Sequence, residues 1–155
     1  MKDRFLYERG MALPSFADPS IYVYRPIVPI TIYGSTQSLA TKGLLDTGAT
    51  ETILPFSLIA DGHIDPAYTP GETGQIFGLD GSWIDVTYWT VDLAVKLKRK
   101  THRWRAKVAF SPVRNEVVLG NAGFLRYFTV TFNGYERYTT LRPNGTFPPA
   151  GVPTP

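Results

Sequence analysis

Glycine and proline punctuate this chain. Its 14 glycines and 13 prolines fall between short runs rich in valine, isoleucine, threonine and aromatic residues. That spacing favours many strands of about four to eight residues joined by turns, and it leaves little room for helices. An all-β domain is expected. With 155 residues, 43% of them hydrophobic, the chain can fill one core but not two. There is no cysteine, which excludes disulfides, thiolate nucleophiles and cysteine metal sites.

Residues 1–20 have a weak mixed pattern and are expected to form an N-terminal arm ahead of a domain at 21–143. Residues 22–33 (YVYRPIVPITIY) look like a strand whose prolines confine it to edges or bulges. A turn at 34–38 leads to an apolar strand at 42–46, then Ile53-Leu54-Pro55 and a helical turn at 57–60. Residues 61–74, rich in Asp, Pro and Gly, are expected to be loop. Strand-like runs at 75–77 and 82–95 flank Gly78-Leu79-Asp80-Gly81, a hairpin signal. Further strands are expected at 103–110, 117–119, 129–132 and 135–141, with one or two helical turns at 122–127. Asn133-Gly134 predicts a tight two-residue hairpin turn. The Pro-rich residues 144–155 are expected to be a disordered tail.

One stretch carries chemistry: Leu44-Leu45-Asp46-Thr47-Gly48-Ala49-Thr50-Glu51-Thr52-Ile53-Leu54-Pro55. Two leucines drive a strand into the core, and a carboxylate then stands at the strand end. A carboxylate in apolar surroundings is costly unless it is hydrogen-bonded or shares a proton. Thr47 offers a hydroxyl, Gly48 can turn its N–H towards the carboxylate, and Ala49 keeps the site small. Asp-Thr-Gly alone is also what an ordinary β-turn looks like, so its flanks matter.

Those flanks resemble the active-site loop of the retropepsin-like aspartic proteases, and look more like cellular or bacterial members than viral ones. Two further matches follow in order. Phe77-Gly78-Leu79-Asp80-Gly81-Ser82 is similar to the family's flap, the hairpin that closes over substrate. Val117-Val118-Leu119-Gly120, then Phe124-Leu125-Arg126-Tyr127-Phe128 and Thr129-Val130-Thr131-Phe132, resemble its hydrophobic-hydrophobic-Gly strand, short helix and final strand. The resemblance spans about residues 25–132. It implies a closed, barrel-like acid protease fold with one short C-terminal helix, and it implies aspartic endopeptidase activity with no cofactor and no metal.

The chain holds a single Asp-Thr-Gly, whereas the family's chemistry needs two carboxylates. The resemblance therefore implies a homodimer that pairs two copies of Asp46 across a two-fold axis. Asp46, Thr47 and Gly48 would be the catalytic loop. Ala49, Thr50, Phe77, Gly78, Leu79, Asp80, Gly81 and Trp83 would contact an extended peptide substrate. Many viral members brace the loop with an Asp–Arg pair at the positions of Thr50 and Asn121. A Thr50–Asn121 hydrogen bond is the expected substitute.

Residues 96–107 (KLKRKTHRWRAK) hold 7 of the chain's 16 Lys and Arg, so the other 9 face 13 acidic residues elsewhere. A solvated hairpin is the expected reading, and a nucleic-acid partner is not. His63 and His102, with no Cys or second His nearby, make neither a triad nor a zinc site. Trp83, Trp89 and Trp104 are expected to pack or to wall the flap. Asn144-Gly145-Thr146 is read as a chance glycosylation match. No signal peptide or membrane span is evident, so a cytoplasmic location is expected on that ground alone. The competing class is a catalytically silent dimerisation or peptide-binding module on the same fold.

Overall fold

In the computed structural model the described residues are 3–14, 16–66, 71–78 and 80–148. The chain is mostly β. Strand β4 (Ile27–Tyr33) pairs antiparallel with β5 (Ser38–Leu45), and β5 runs parallel to β10 (Val117–Leu119). β10 pairs with β6 (Ile53–Pro55), and β6 runs parallel to β9 (Lys100–Ser111). β9 pairs with the long β8 (Trp83–Leu97), which in turn pairs with β7 (Glu72–Phe77). A further pairing of Thr31, Ile32 and Tyr33 with Ala94, Leu93 and Asp92 joins β4 back to β8. The sheet thereby closes into a ring, and the hairpin of β7 with the first half of β8 extends from it.

The ring closes because its strands alternate correctly. Val28, Ile30 and Ile32 of β4 point inward and are buried. They meet Val91, Leu93 and Val95 of β8 and Val108 and Phe110 of β9. β8 joins β4 only from Thr31 onward, so Pro29 has β5 as its one neighbour and no ladder is interrupted on the other side. Trp104 is the largest fully buried side chain. Its indole N–H donates to the Gly123 carbonyl at 2.8 Å, which satisfies its polar edge. Phe124, Phe128 and Phe147 stand around it edge-on, with ring centroids 5.4–5.6 Å away.

Several expectations need correction. Within the expected N-terminal arm, residues 3–14 form two strands. β1 (Asp3–Leu6) pairs with β12 (Tyr138–Pro143), and β2 (Glu8–Pro14) pairs with β3 (Tyr22–Arg25). With β11 (Phe128–Asn133), β1 and β12 form a separate three-stranded sheet. The helix expected at 122–127 is a single 3-10 turn, Leu125–Tyr127, while the helical turn at Ser57–Ala60 (α1) is present. Part of the expected loop at 61–74 is already strand, since β7 starts at Glu72.

The Asn133-Gly134 turn is longer than expected. Asn133 pairs with Tyr138 across a four-residue connection, and Arg137 rather than Gly134 takes positive φ (56°). The Asn133 side chain explains this. Its Oδ1 accepts the Glu136 N–H at 2.8 Å and its Nδ2 donates to Glu136 at 2.9 Å, which stabilises the wider turn. The start of the tail is also anchored. Asn144 Nδ2 and the Thr146 hydroxyl both donate to the Arg126 carbonyl, and Phe147 completes the cage around Trp104. Residues 149–155 lie outside the described residues.

The basic stretch is the β8–β9 hairpin. Asp92 accepts from Arg103 Nη2 at 2.8 Å and from Arg105 Nε at 3.0 Å, and Lys107 pairs with Glu72. These ion pairs neutralise part of the charge, while Leu97, Trp104 and Ala106 of the same stretch are buried in the core, so it is less solvated than expected.

Asp65 ties two connections together. It accepts from the Ser35 hydroxyl, the Thr36 hydroxyl and N–H, and the Gln37 N–H. Gly34 is required there, because a Cβ would lie 2.7 Å from the Asp65 carbonyl oxygen. The hydroxyls of Thr36 and then Ser35 hold the Asp65 carboxyl far below the usual carboxylate range. A depressed folded-state pKa adds stability that is present above the unfolded pKa, near 3.9, and is lost as pH falls below it. In urea titrations, Asp65→Asn is expected to lower the unfolding midpoint at neutral pH. The gap from wild type should close as pH falls from about 4. A gap independent of pH would contradict this assignment.

Candidate active site

β5 carries Leu45 into the core and delivers Asp46, half-buried, at its end. The Asp46 N–H donates to the Leu119 carbonyl at 3.2 Å, so the strand end is held by β10. The chain then turns back on itself. Gly48 N–H donates to Asp46 Oδ1 at 2.9 Å, and Ala49 N–H donates to the Asp46 carbonyl at 3.2 Å. The carboxylate is thus oriented by the backbone two residues on, as a glycine at 48 allows.

Residues 46–52 are laced to residues 119–122. Asn121 N–H donates to the Ala49 carbonyl at 2.9 Å, Ala122 N–H to Thr50 at 2.8 Å, and Thr52 N–H to Ala122 at 2.9 Å. The Asn121 side chain does brace the loop, but not through the Thr50 hydroxyl as expected. Its Nδ2 donates to the Thr47 and Ala49 carbonyls, both at 3.1 Å. An amide can satisfy two backbone acceptors at once, so Thr50 is not needed as a partner.

In front of Asp46 lies a cleft of about 350 Å³. Of the expected site residues, Asp46, Gly48, Ala49, Thr50 and Phe77 line it. Ile53 and Val118 also line it, and with Val86 and Ala109 they form a second apolar cluster against which Ala49, Ile76, Ile84 and Tyr88 pack. Thr47 is exposed beside the cleft and is not part of its wall.

The β7–β8 hairpin borders the cleft through Gln75, Ile76 and Phe77. Gly78 N–H donates to the Ser82 carbonyl at 2.8 Å and Gly81, at φ 83°, closes the turn. Asp80 accepts from the Ser82 hydroxyl at 2.6 Å and from its N–H at 3.0 Å, which keeps the Asp80 carboxyl below its ordinary range. Gly78, Asp80 and Gly81 therefore build the turn rather than the cleft wall, and Leu79 lies outside the described residues. Phe77 and Trp83 pack edge-on at 5.0 Å across the hairpin while remaining 64% and 65% exposed.

Three polar residues of the cleft were not anticipated: Glu51, Gln75 and Arg114. Glu51 Oε2 accepts the Tyr88 hydroxyl at 2.5 Å, which ties the loop after Asp46 to β8. Burial first, and then the Glu51 carboxylate, push the Tyr88 phenol upward, so it stays a proton donor. Glu51 lies in the same stretch as Asp46, but nothing in one dimension places Tyr88 opposite it. Among the described residues no group of three or more His, Cys, Asp or Glu is placed to hold a metal ion.

No protein-family model matches the chain, and no curated protein is found to be similar to it. Among the described residues no helix is long and apolar enough to cross a membrane.

Proposed function

We propose that this chain is one subunit of a homodimeric aspartic endopeptidase of the retropepsin-like kind, built on that family's closed, barrel-like fold. One observation carries the reading. The only Asp-Thr-Gly carboxylate stands at a strand end, held by Gly48 N–H, and opens onto a cleft bordered by an aromatic-tipped hairpin.

The chemistry follows from pairing two such loops. Two carboxylates about 3 Å apart cannot both ionise, so the pair shares one proton. The ionised member takes a proton from a bound water as its oxygen attacks the peptide carbonyl. The protonated member donates to the carbonyl oxygen and stabilises the charge that develops there. Thr47, exposed beside Asp46, is available to hydrogen-bond to its symmetry mate. Substrate would lie extended between the Asp46 pair and the two hairpins, which act as flaps, bound largely by backbone hydrogen bonds as an added strand. The three-stranded sheet offers β1 and β11 as edges for the second copy, with Leu6 and Phe132 exposed on them.

Cleavage of an unstructured peptide mixture, followed from mildly acidic to neutral pH over a dilution series, tests this reading. Specific activity should fall as the dimer dissociates. Activity that stays constant at dilutions where sizing finds only monomer would refute the shared site. A folded dimer that cuts nothing at any pH would favour the silent binding module instead.

A further inference from the structure

The cleft is lined by one cation, Arg114, that has no partner among the described residues. Three arginines among the described residues are half-buried: Arg25, Arg105 and Arg114. Arg25 Nη2 donates to both carboxylate oxygens of Glu116, at 2.7 and 2.6 Å, and Arg105 donates to Asp92 at 3.0 Å. Arg114, between β9 and β10, has neither a hydrogen bond nor an ion pair to any described residue, yet it lines the cleft with Asp46. Glu51, which lines the same cleft, receives the Tyr88 hydroxyl on its Oε2. Partly withdrawing a guanidinium from water without a partner is unfavourable, and a planar fork of five N–H donors matches a carboxylate in two-point fashion.

We propose that Arg114 is a specificity-determining residue that seats an acidic side chain of the peptide substrate. The proposal rests on the endopeptidase reading above and names its substrate class: peptides carrying Asp or Glu close to the cut bond. In a two-fold dimer each copy supplies one Arg114, so each side of the cut bond has one such seat. The negative charge of Asp46 and Glu51 disfavours an acidic peptide elsewhere in the cleft, which confines the preference to the positions Arg114 reaches. The fork geometry adds what a diffuse positive field would not, a preference that arginine supports better than lysine.

The test is a set of peptides with one cut site in which Glu, Gln or Lys is placed in turn at each of the flanking positions. The readout is the ratio of kcat/KM for Glu over Gln within one enzyme, which does not depend on the folded fraction. Wild type should favour Glu about 10-fold or more at one position on each side, and the ratio should shrink as salt rises. Arg114→Gln should bring that ratio near one, Arg114→Lys should retain part of it, and Arg114→Glu should favour Lys. Equal cleavage of Glu and Gln peptides at every position, or a Glu preference unchanged in Arg114→Gln, overturns the proposal. The same peptides are titrated calorimetrically against Asp46→Asn, where nothing is cut. Tighter binding of Glu than Gln peptides there supports the seat even if wild type proves inactive, an outcome that sinks the endopeptidase reading alone.

Discussion

Asp46→Asn is expected to reduce peptide cleavage by at least about 10³-fold while leaving the protein folded. Removing a general base typically costs about 10²–10⁴ in rate, and removing a positioned group that stabilises the oxyanion costs a further factor of about 10²–10³. A pair of Asn side chains can supply neither a proton acceptor for water nor an acid for the carbonyl. The fold should tolerate the change because Asn has the same shape and its Oδ1 can still accept the Gly48 N–H. Asp46 is also only half-buried, so no deep cavity or clash results. Thermal unfolding of the variant within a few degrees of wild type, beside lost cleavage, is the expected pair of results. Joint loss of both would mean that Asp46 is structural.

Gly120→Ala is expected to damage stability and site together. A Cβ at 120 would lie 2.8 Å from the Ala49 carbonyl oxygen and 2.6 Å from the Glu51 carbonyl carbon. Both neighbours are backbone and belong to the Asp46 loop, so neither can rotate away. Forcing a methyl into such a place costs about 1–3 kcal/mol or more, and for a domain of this size each kcal/mol lowers Tm by roughly 2–4 °C. The displaced strand would also drag Asn121, whose amide holds the Thr47 and Ala49 carbonyls. Cleavage by the folded fraction should therefore fall as well, since misplacing a catalytic group by about 1 Å can cost about 10²-fold. An unchanged urea midpoint would show that the loop has slack.

The same contact explains why the loop could be found in one dimension. Leu44-Leu45 before Asp46 and the small residues after it mark a buried strand that ends in a tight turn, and Gly120 after an apolar triplet marks the one position that must lie against the Ala49 and Glu51 backbone without a Cβ. The alternation of Val28, Ile30 and Ile32 likewise marks β4. What is not legible arises where side chains of distant segments meet. Arg114 enters the cleft from the β9–β10 connection, and Tyr88 finds Glu51 only because β8 crosses beside that loop. Phe147 was hidden in a Pro-rich tail, although its ring closes the cage around Trp104. Asn133-Gly134 does not form the two-residue turn its sequence predicts, because the Asn133 side chain captures Glu136 and widens the turn. Asn121 was expected to find a side chain and instead found two carbonyls, a choice that depends on loop geometry alone.

One mixing experiment separates a shared site from a site within each chain. Wild type and Asp46→Asn are combined at fixed total concentration, allowed to exchange subunits, and assayed on one peptide as the wild-type fraction is varied. If the active site pairs Asp46 from two chains, a mixed dimer is inactive and activity follows the square of the wild-type fraction. A straight-line dependence would mean that each chain cuts with its own residues, and the paired-carboxylate mechanism would be wrong.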